Sequence, residues 1–135
     1  MSAEDLELVR RSFELFIGGD RDAAWELWSE DCIGIPPRDW PEPGPFRGPE
    51  ELRSAFDSWS VAFGPDWFSH ATVRGIRDLG DGRFLIELAF KTSGIESGIP
   101  VDQELASIFT VRDGELVKGE YFMSIAEARK AAGLE

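Results

Sequence analysis

The length, composition and charge of the chain narrow the functions that it can have. A chain of 135 residues, 42% of them hydrophobic, is long enough for one domain with a packed core, spanning residues 1–135. Its net charge of −12 argues against a nucleic-acid partner and against binding to an anionic membrane surface. The single cysteine, Cys32, cannot form an internal disulfide, and no apolar run approaches the roughly 20 residues that span a bilayer. We therefore expect a cytoplasmic protein with no membrane partner.

Two amphipathic helices are predicted at the start of the chain. The first carries apolar side chains at spacings of three and four, and it ends at Gly18-Gly19, where glycine permits left-handed backbone. These side chains are Leu6, Val9, Phe13 and Phe16. Asp20 can cap the second helix, which brings Trp25 and Trp28 to its inner face and ends in Ser29-Glu30-Asp31. The apolar run over residues 32–35 then predicts a short buried strand.

A third helix is predicted after a stiff loop. Residues 36–49 are rich in proline and include Gly44 and Gly48, which leaves few options for regular structure. Pro49 suits the first turn of the helix, and Gly64-Pro65 marks its end. Between them, apolar side chains recur at intervals of four, three and four residues: Leu52, Phe56, Trp59 and Phe63.

The second half of the chain has the two-residue period of strands. Apolar side chains alternate with mixed ones through residues 83–91, which follow a turn at residues 78–82. The segment before that turn, residues 67–77, is predicted to be a strand, although its alternation is poor. Helices laid across a bent antiparallel sheet leave a cone-shaped hole between them. The pattern therefore predicts an α+β domain with a pocket under its helices.

A hairpin and a short helix are predicted at the end of the chain. Asp113-Gly114 is a strong turn signal between a strand over residues 101–112 and a strand over residues 115–123. Ser124 and Glu127 then have the spacing of a capping box, which predicts a last helix ending near Gly133.

Four segments of the chain, in this order and spacing, resemble the SnoaL-like branch of the nuclear transport factor 2-like (NTF2-like) superfamily. They are Phe13-Glu14-Leu15-Phe16-Ile17-Gly18-Gly19-Asp20, Ser29-Glu30-Asp31-Cys32-Ile33, Phe46-Arg47-Gly48-Pro49-Glu50-Glu51-Leu52 and Phe109-Thr110-Val111-Arg112-Asp113-Gly114-Glu115-Leu116-Val117. The resemblance implies an NTF2-like cone, a curved antiparallel sheet with three N-terminal helices packed on its concave face and a short C-terminal helix. It implies no single activity, because the superfamily includes ketosteroid isomerases, limonene-epoxide hydrolases, polyketide cyclases, dehydratases and non-catalytic binding domains.

Other residues occupy the catalytic positions that the resemblance implies. The isomerase positions, a tyrosine, an aspartate and an acidic donor, fall at Ser12, near Pro36 and near Ser107. The epoxide-hydrolase positions, an arginine and two aspartates, fall at Leu88, Phe90 and at or beside Tyr121. Neither catalytic set is intact, so we expect neither reaction.

Tyr121, Ser107 and His70 are the candidate catalytic residues. If the last strand turns Tyr121 inwards, its hydroxyl can donate to a ligand carbonyl or an oxyanion; the alternative is a core tyrosine with a backbone partner. Ser107 and Gln103 share the inner face of the preceding strand, where they orient a ligand or serve only as polar spacers. His70, the only histidine, titrates near neutrality and is a candidate general base, although the inward phase of its strand is open.

Aromatic side chains supply much of the predicted pocket. Five tryptophans and ten phenylalanines fall largely on predicted inner faces, where the alternative is that they simply fill the core. The epoxide-hydrolase branch carries a tryptophan where this chain has Gly119, so the resemblance implies a wider pocket at this position. The predicted pocket residues are Phe16, Trp25, Trp28, Ile33, Ile35, Trp40, Phe46, Trp59, Phe63, Ile86, Leu88, Phe90, Gln103, Phe109, Gly119 and Met123. One histidine and one cysteine give no metal-site spacing, and no glycine-rich loop cradles a phosphate, so we expect no metal and no cofactor.

Two functions remain open at this point. The first is an enzyme, similar to an isomerase, cyclase or hydrolase, that acts on a hydrophobic small molecule by acid–base or oxyanion chemistry. The second is a non-catalytic ligand-binding or dimerisation domain of the same fold, and a buried titratable base in the pocket would separate the two. A homodimer is expected in either case, through apolar side chains of the outer sheet face: Ile108, Thr110, Leu116 and Phe122.

Overall fold

The computed structural model describes residues 2–38, 44–63, 71–93 and 100–134. Its helices are α1 (Ser2–Ile17), α2 (Arg21–Trp25), α3 (Gly48–Phe63) and α4 (Ile125–Ala131). Its strands are β1 (Trp28–Ile35), β2 (Phe46–Arg47), β3 (Thr72–Gly80), β4 (Arg83–Ser93), β5 (Pro100–Arg112) and β6 (Glu115–Phe122). No helix within these residues is long and apolar enough to cross a membrane.

The strands form one curved sheet in the order β2-β1-β6-β5-β4-β3, and the predicted α+β class is confirmed. Four of its pairings are antiparallel, as expected, whereas β1 runs parallel to β6. The reason is topological. Strands β3 to β6 follow one another as a meander of hairpins, but β1 reaches β6 only through the rest of the chain, so no tight turn imposes an antiparallel direction.

The second helix is shorter than predicted. Asp20 caps it as expected, since its Oδ1 accepts a hydrogen bond of 3.2 Å from the Ala23 amide. The helix nevertheless ends at Trp25, and Trp28 already belongs to β1. Trp28 pairs with Leu116 of β6, and the Leu116 amide donates to the Leu27 carbonyl at 2.9 Å. Pairing with the sheet therefore overrides the local helical pattern.

Two Asp-Gly dipeptides make the hairpin turns of the meander. Asp81-Gly82 joins β3 to β4 with φ angles of 57° and 77°, and Asp113-Gly114 joins β5 to β6 with φ angles of 53° and 77°. Positive φ at both central residues is what a two-residue turn requires to match the twist of the strands. The first turn lies within the predicted range of residues 78–82 but is shorter than predicted, because β3 extends to Gly80.

The sheet has apolar side chains on both faces. On the concave face, buried side chains of α1, α2 and α3 pack with those of the sheet, Leu116 among them. On the convex face, Ala128 of α4 packs against Leu85, Ala106 and Ile108, with Phe122 beside them. The outer face predicted for a homodimer is therefore partly covered: α4 lies over Ile108 and Phe122, and Leu116 faces the other way. Dimerisation itself stays a prediction.

Candidate functional site

An aromatic cavity lies between the helices and the concave face of the sheet. Its volume is about 30 Å³, which exceeds the roughly 10–15 Å³ that a cavity needs to hold one water molecule. The side chains have thus nearly filled the cone. The lining residues are Ser12, Phe13, Phe16, Trp25, Trp28, Pro37, Phe56, Trp59, Leu88, Leu105, Ala106, Ser107, Phe109, Tyr121 and Met123.

A closed circuit of rings surrounds much of this cavity. Going round it, the distances between ring centroids are 6.0 Å from Trp25 to Trp28, 5.0 Å to Phe109, 6.0 Å to Tyr121, 5.5 Å to Phe56 and 5.4 Å back to Trp25. Most of these pairs meet edge to face, which is the favoured arrangement for aromatic rings. The wall is therefore apolar and well packed.

The structure brings two of the three candidate catalytic residues to the cavity. Tyr121 and Ser107 both line it, and both are buried. Predicted pocket residues that line it as well are Phe16, Trp25, Trp28, Trp59, Leu88, Phe109 and Met123. His70 and Trp40 lie outside the described residues. The side chains of Phe63, Phe90 and Gln103 are likewise outside the described part of the chain.

The prediction that Ile33 and Ile35 line the pocket is wrong. Cys32 and Gly34 face the interior, whereas Ile33 is half-buried and Ile35 is 37% exposed, so neither isoleucine lines the cavity. The cause is the approach of α3, because a Cβ atom on Gly34 would stand only 2.4 Å from Leu52 Cδ1. The larger side chains must therefore take the opposite face of the strand.

Three other predicted pocket residues lie beside the cavity rather than in its wall. Ile86 is fully buried in the core. Phe46 of β2 is half-buried and packs against the core. Gly119 does not widen the pocket, because its neighbours fill the space: a Cβ atom there would lie 2.7 Å from Tyr121 Oη and 3.0 Å from Trp28 Cη2.

The wall also contains residues that were not predicted from the sequence to line the pocket: Ser12, Phe13, Pro37, Phe56, Leu105 and Ala106. Ser12 carried a usable signal, because it falls within the apolar stripe of α1, three residues after Val9. Its Oγ donates a hydrogen bond of 2.8 Å to the Val9 carbonyl, which accounts for a hydroxyl in an apolar stripe.

Tyr121 is the most unusual polar group of the site. Its side chain is 93% buried, and its Oη has no hydrogen-bond partner among the described residues. Burial, and then the nearby Cys32, raise the pKa of Tyr121 well above its usual value of 10. Burial likewise raises the pKa of the Cys32 thiol to about 11, with a further contribution from the charge of Asp31. Both groups are therefore neutral near pH 7, and Tyr121 is available as a hydrogen-bond donor.

The described part of the wall contains hydroxyl groups but no carboxylate, imidazole or cationic side chain. The guanidinium of Arg21 lies 6.0 Å from the centre of the Phe16 ring, but Arg21 is not a wall residue. Nor do the described residues contain a group of three or more histidine, cysteine or acidic side chains that could hold a metal ion. Within this part of the chain, the site can donate hydrogen bonds and bury apolar surface, but it supplies no general base.

Solved structures share this architecture at low sequence identity. Bal32a from a soil-derived mobile gene cassette superposes with a TM-score of 0.73 at 21% identity, over 88% of each chain. A candidate SnoaL-like polyketide cyclase from Jannaschia sp. CCS1 gives a TM-score of 0.72 at 19% identity, over 98% of this chain and 94% of that one. TerC, crystallised with polyporic acid, gives 0.73 at 14% identity, over 96% and 98%. At these identities the likeness shows the fold alone.

Comparison of the sequence with known families points the same way. No curated protein matches the chain at a significant level. Residues 9–119, however, match the family model of the SnoaL-like domain, and this range begins within α1 and ends within β6. Together with the cone-shaped fold, this match shows that the chain belongs to the SnoaL-like family of the NTF2-like superfamily.

Proposed function

We propose that this protein binds a small, predominantly apolar molecule in its aromatic cavity, with the Tyr121 hydroxyl as the polar anchor. The observation that carries the proposal is that Tyr121 Oη is buried in the wall and has no hydrogen-bond partner among the described residues. A buried hydroxyl without a partner costs about 1–3 kcal/mol, and a ligand acceptor would remove that cost.

The composition of the wall supports an apolar ligand. Aromatic and aliphatic side chains with a few polar groups are typical of small-molecule sites. TerC, whose fold is similar, was crystallised with a small organic molecule, polyporic acid. In the present chain the cavity is small, so a ligand larger than a few atoms would have to displace side chains. Met123, 36% exposed at the wall, is the flexible residue best placed to move.

Three tryptophans in the wall make the proposal testable. We expect a small apolar probe, toluene, to shift the indole N–H resonances of Trp25, Trp28 and Trp59 in a ¹H–¹⁵N NMR titration. Ser107→Leu should abolish these shifts, because the larger side chain fills the cavity. Ser54→Leu, on the exposed side of α3, is the matched control and should leave them unchanged. Absence of any toluene-dependent shift in the unmodified protein would overturn the proposal.

A second candidate function is catalysis of proton transfer next to a carbonyl group. Tyr121 favours it, since a neutral hydroxyl in an apolar cavity can stabilise a developing enolate oxygen. The structurally similar protein from Jannaschia is named as a candidate SnoaL-like polyketide cyclase. The reaction also requires a base, and His70 is the candidate that the sequence provides.

Hydrogen–deuterium exchange separates the two functions. Acetophenone has acidic protons next to its carbonyl group, and their exchange in D₂O is followed by ¹H NMR. An enzyme would accelerate the exchange, and both Tyr121→Phe and His70→Gln would remove the acceleration. A binding protein would leave the exchange at its uncatalysed rate even when the ketone is bound.

We also propose that the protein acts in the cytoplasm and that it forms a homodimer. Sedimentation equilibrium would test the homodimer.

A further inference from the structure

The position of the Tyr121 hydroxyl depends on the absence of a side chain at Gly119. Gly119 and Tyr121 lie two residues apart on the inner face of β6, and the tyrosine side chain lies back over the glycine. A Cβ atom at position 119 would be 2.7 Å from Tyr121 Oη, 3.0 Å from its Cζ and 3.0 Å from Trp28 Cη2. Contacts this short cannot form without moving one of the two rings. Gly119 therefore decides where the hydroxyl lies.

Within the described part of the chain, no side chain that lines the cavity around that hydroxyl carries a formal charge. Among the described wall residues, Tyr121 is the only side chain that titrates, and its neighbour Cys32 is also held in its neutral form. A carboxylate entering the cavity would lose its hydration and meet no positive charge in this part of the wall. The net charge of −12 on the protein would oppose its approach as well. A neutral carbonyl or ether oxygen would meet neither obstacle.

We propose that the cavity selects uncharged molecules with a hydrogen-bond acceptor and rejects anions, and that Gly119 is the positioning residue for this selectivity. The inference rests on the proposed function, because it concerns the ligand of the same cavity. The expected ligand is a small, neutral compound whose oxygen accepts a hydrogen bond from Tyr121. The glycine acts through Tyr121 and need not touch the ligand.

Three probes of nearly the same size separate the contributions. Acetophenone is neutral and has an acceptor oxygen, α-methylstyrene replaces that oxygen with a CH₂ group, and benzoate is an anion at pH 7. We expect acetophenone to bind about tenfold more tightly than α-methylstyrene, as one buried hydrogen bond would give. Benzoate should bind at least about tenfold more weakly than acetophenone. The affinities are measured by titration of the Trp25, Trp28 and Trp59 indole resonances.

Two variants assign the selectivity to the residues named. Tyr121→Phe should reverse the preference, because the ketone oxygen is then buried without a partner, and Gly119→Ala should lose most of the preference because the hydroxyl is displaced. Gly75→Ala is the matched control, since a Cβ atom at that strand position meets nothing within 4 Å, and it should keep the full preference. Thermal denaturation establishes that each variant is folded, and Tyr121→Phe tests the inference even if Gly119→Ala fails to fold.

The binding results distinguish a failure of the proposed function from a failure of the inference about ligand class or about Gly119. If no probe binds, the proposed function itself fails. If α-methylstyrene or benzoate binds as tightly as acetophenone, the cavity binds small molecules but the inference about their class is overturned. If Tyr121→Phe reverses the preference while a folded Gly119→Ala keeps it, the positioning role of the glycine is wrong.

Discussion

Gly34 of β1 lies directly beneath Leu52 of α3. A Cβ atom at position 34 would stand 2.4 Å from Leu52 Cδ1, and Leu52 is completely buried. The missing side chain lets the third helix come close to the sheet along its side of the cone. It also explains why Ile33 and Ile35 take the outer face of β1, where there is space for them.

Gly34→Ala should therefore destabilise the protein. The added methyl group must displace Leu52 in a closely packed core, and we expect the free energy of unfolding to fall by about 1–3 kcal/mol. Urea denaturation measures the change. Gly75→Ala serves as the control, because that strand glycine has open space around it and the substitution should have little effect or stabilise slightly. Equal stability of the two variants would show that α3 does not press on Gly34.

Tyr121 should ionise only when the protein unfolds. It is the only tyrosine, so tyrosinate absorbance reports on it alone. Because burial raises its pKa above 10, the folded state holds the proton more tightly than the unfolded chain. Its contribution to stability is thus complete below about pH 10 and is lost as the pH rises further. We expect tyrosinate absorbance and loss of the near-ultraviolet circular dichroism to appear together. Tyrosinate at pH 10 in a protein with native circular dichroism would contradict this burial.

Removing the Tyr121 hydroxyl should not weaken the fold. Since Oη has no partner among the described residues, Tyr121→Phe should leave the free energy of unfolding unchanged or raise it by up to about 1 kcal/mol. Chemical denaturation in the absence of ligand measures this. A loss of more than about 1 kcal/mol would mean that the hydroxyl is part of a structural hydrogen bond, as in a core tyrosine.

Cys32 should be unreactive in the native protein. It is 0% exposed, and burial together with the charge of Asp31 raises its pKa to about 11. At pH 8 this lowers the thiolate fraction roughly a hundredfold relative to a free cysteine, before any effect of access. Modification by an aromatic disulfide reagent should therefore be slow in buffer and fast in denaturant. Rapid stoichiometric modification of the folded protein would contradict the prediction.

The cap of α4 should contribute to the stability of the convex face. Ser124 Oγ accepts a hydrogen bond of 3.3 Å from the Glu127 amide, and Arg129 of the same helix donates to Glu87 of β4 at 2.8 Å. Ser124→Ala should lower the free energy of unfolding by about 1 kcal/mol, whereas Ser124→Asn should retain most of the stabilisation by the cap. An unaffected alanine variant would show that packing of Ala128 and its neighbours holds the helix without the cap.

Much of the candidate site follows from local patterns. The inner face of β5 and β6 was predicted correctly at Ser107, Phe109 and Tyr121, because both strands have a clear two-residue period that their hairpin keeps in phase. The aromatic wall residues of α1 and α3 fall on the predicted apolar stripes: Phe13, Phe16, Phe56 and Trp59. The assignment of Ile33 and Ile35 to the pocket was wrong, since the run from Cys32 to Ile35 is apolar on both faces and gives no indication of which side α3 will cover.

The sequence alone determined the elements whose signals are satisfied by neighbouring residues: the apolar stripes of α1 and α3, the caps at Asp20 and Ser124, and the two Asp-Gly turns. Only the tertiary structure decided which elements meet, and with them the end of α2, the parallel pairing of β1 with β6 and the covering of Ile108 by α4. It also decided how much of the cone stays open. A cavity is the difference between the space enclosed by the backbone and the side chains that fill it, and that difference depends on ring packing between residues far apart in the chain, such as Trp28 and Phe109.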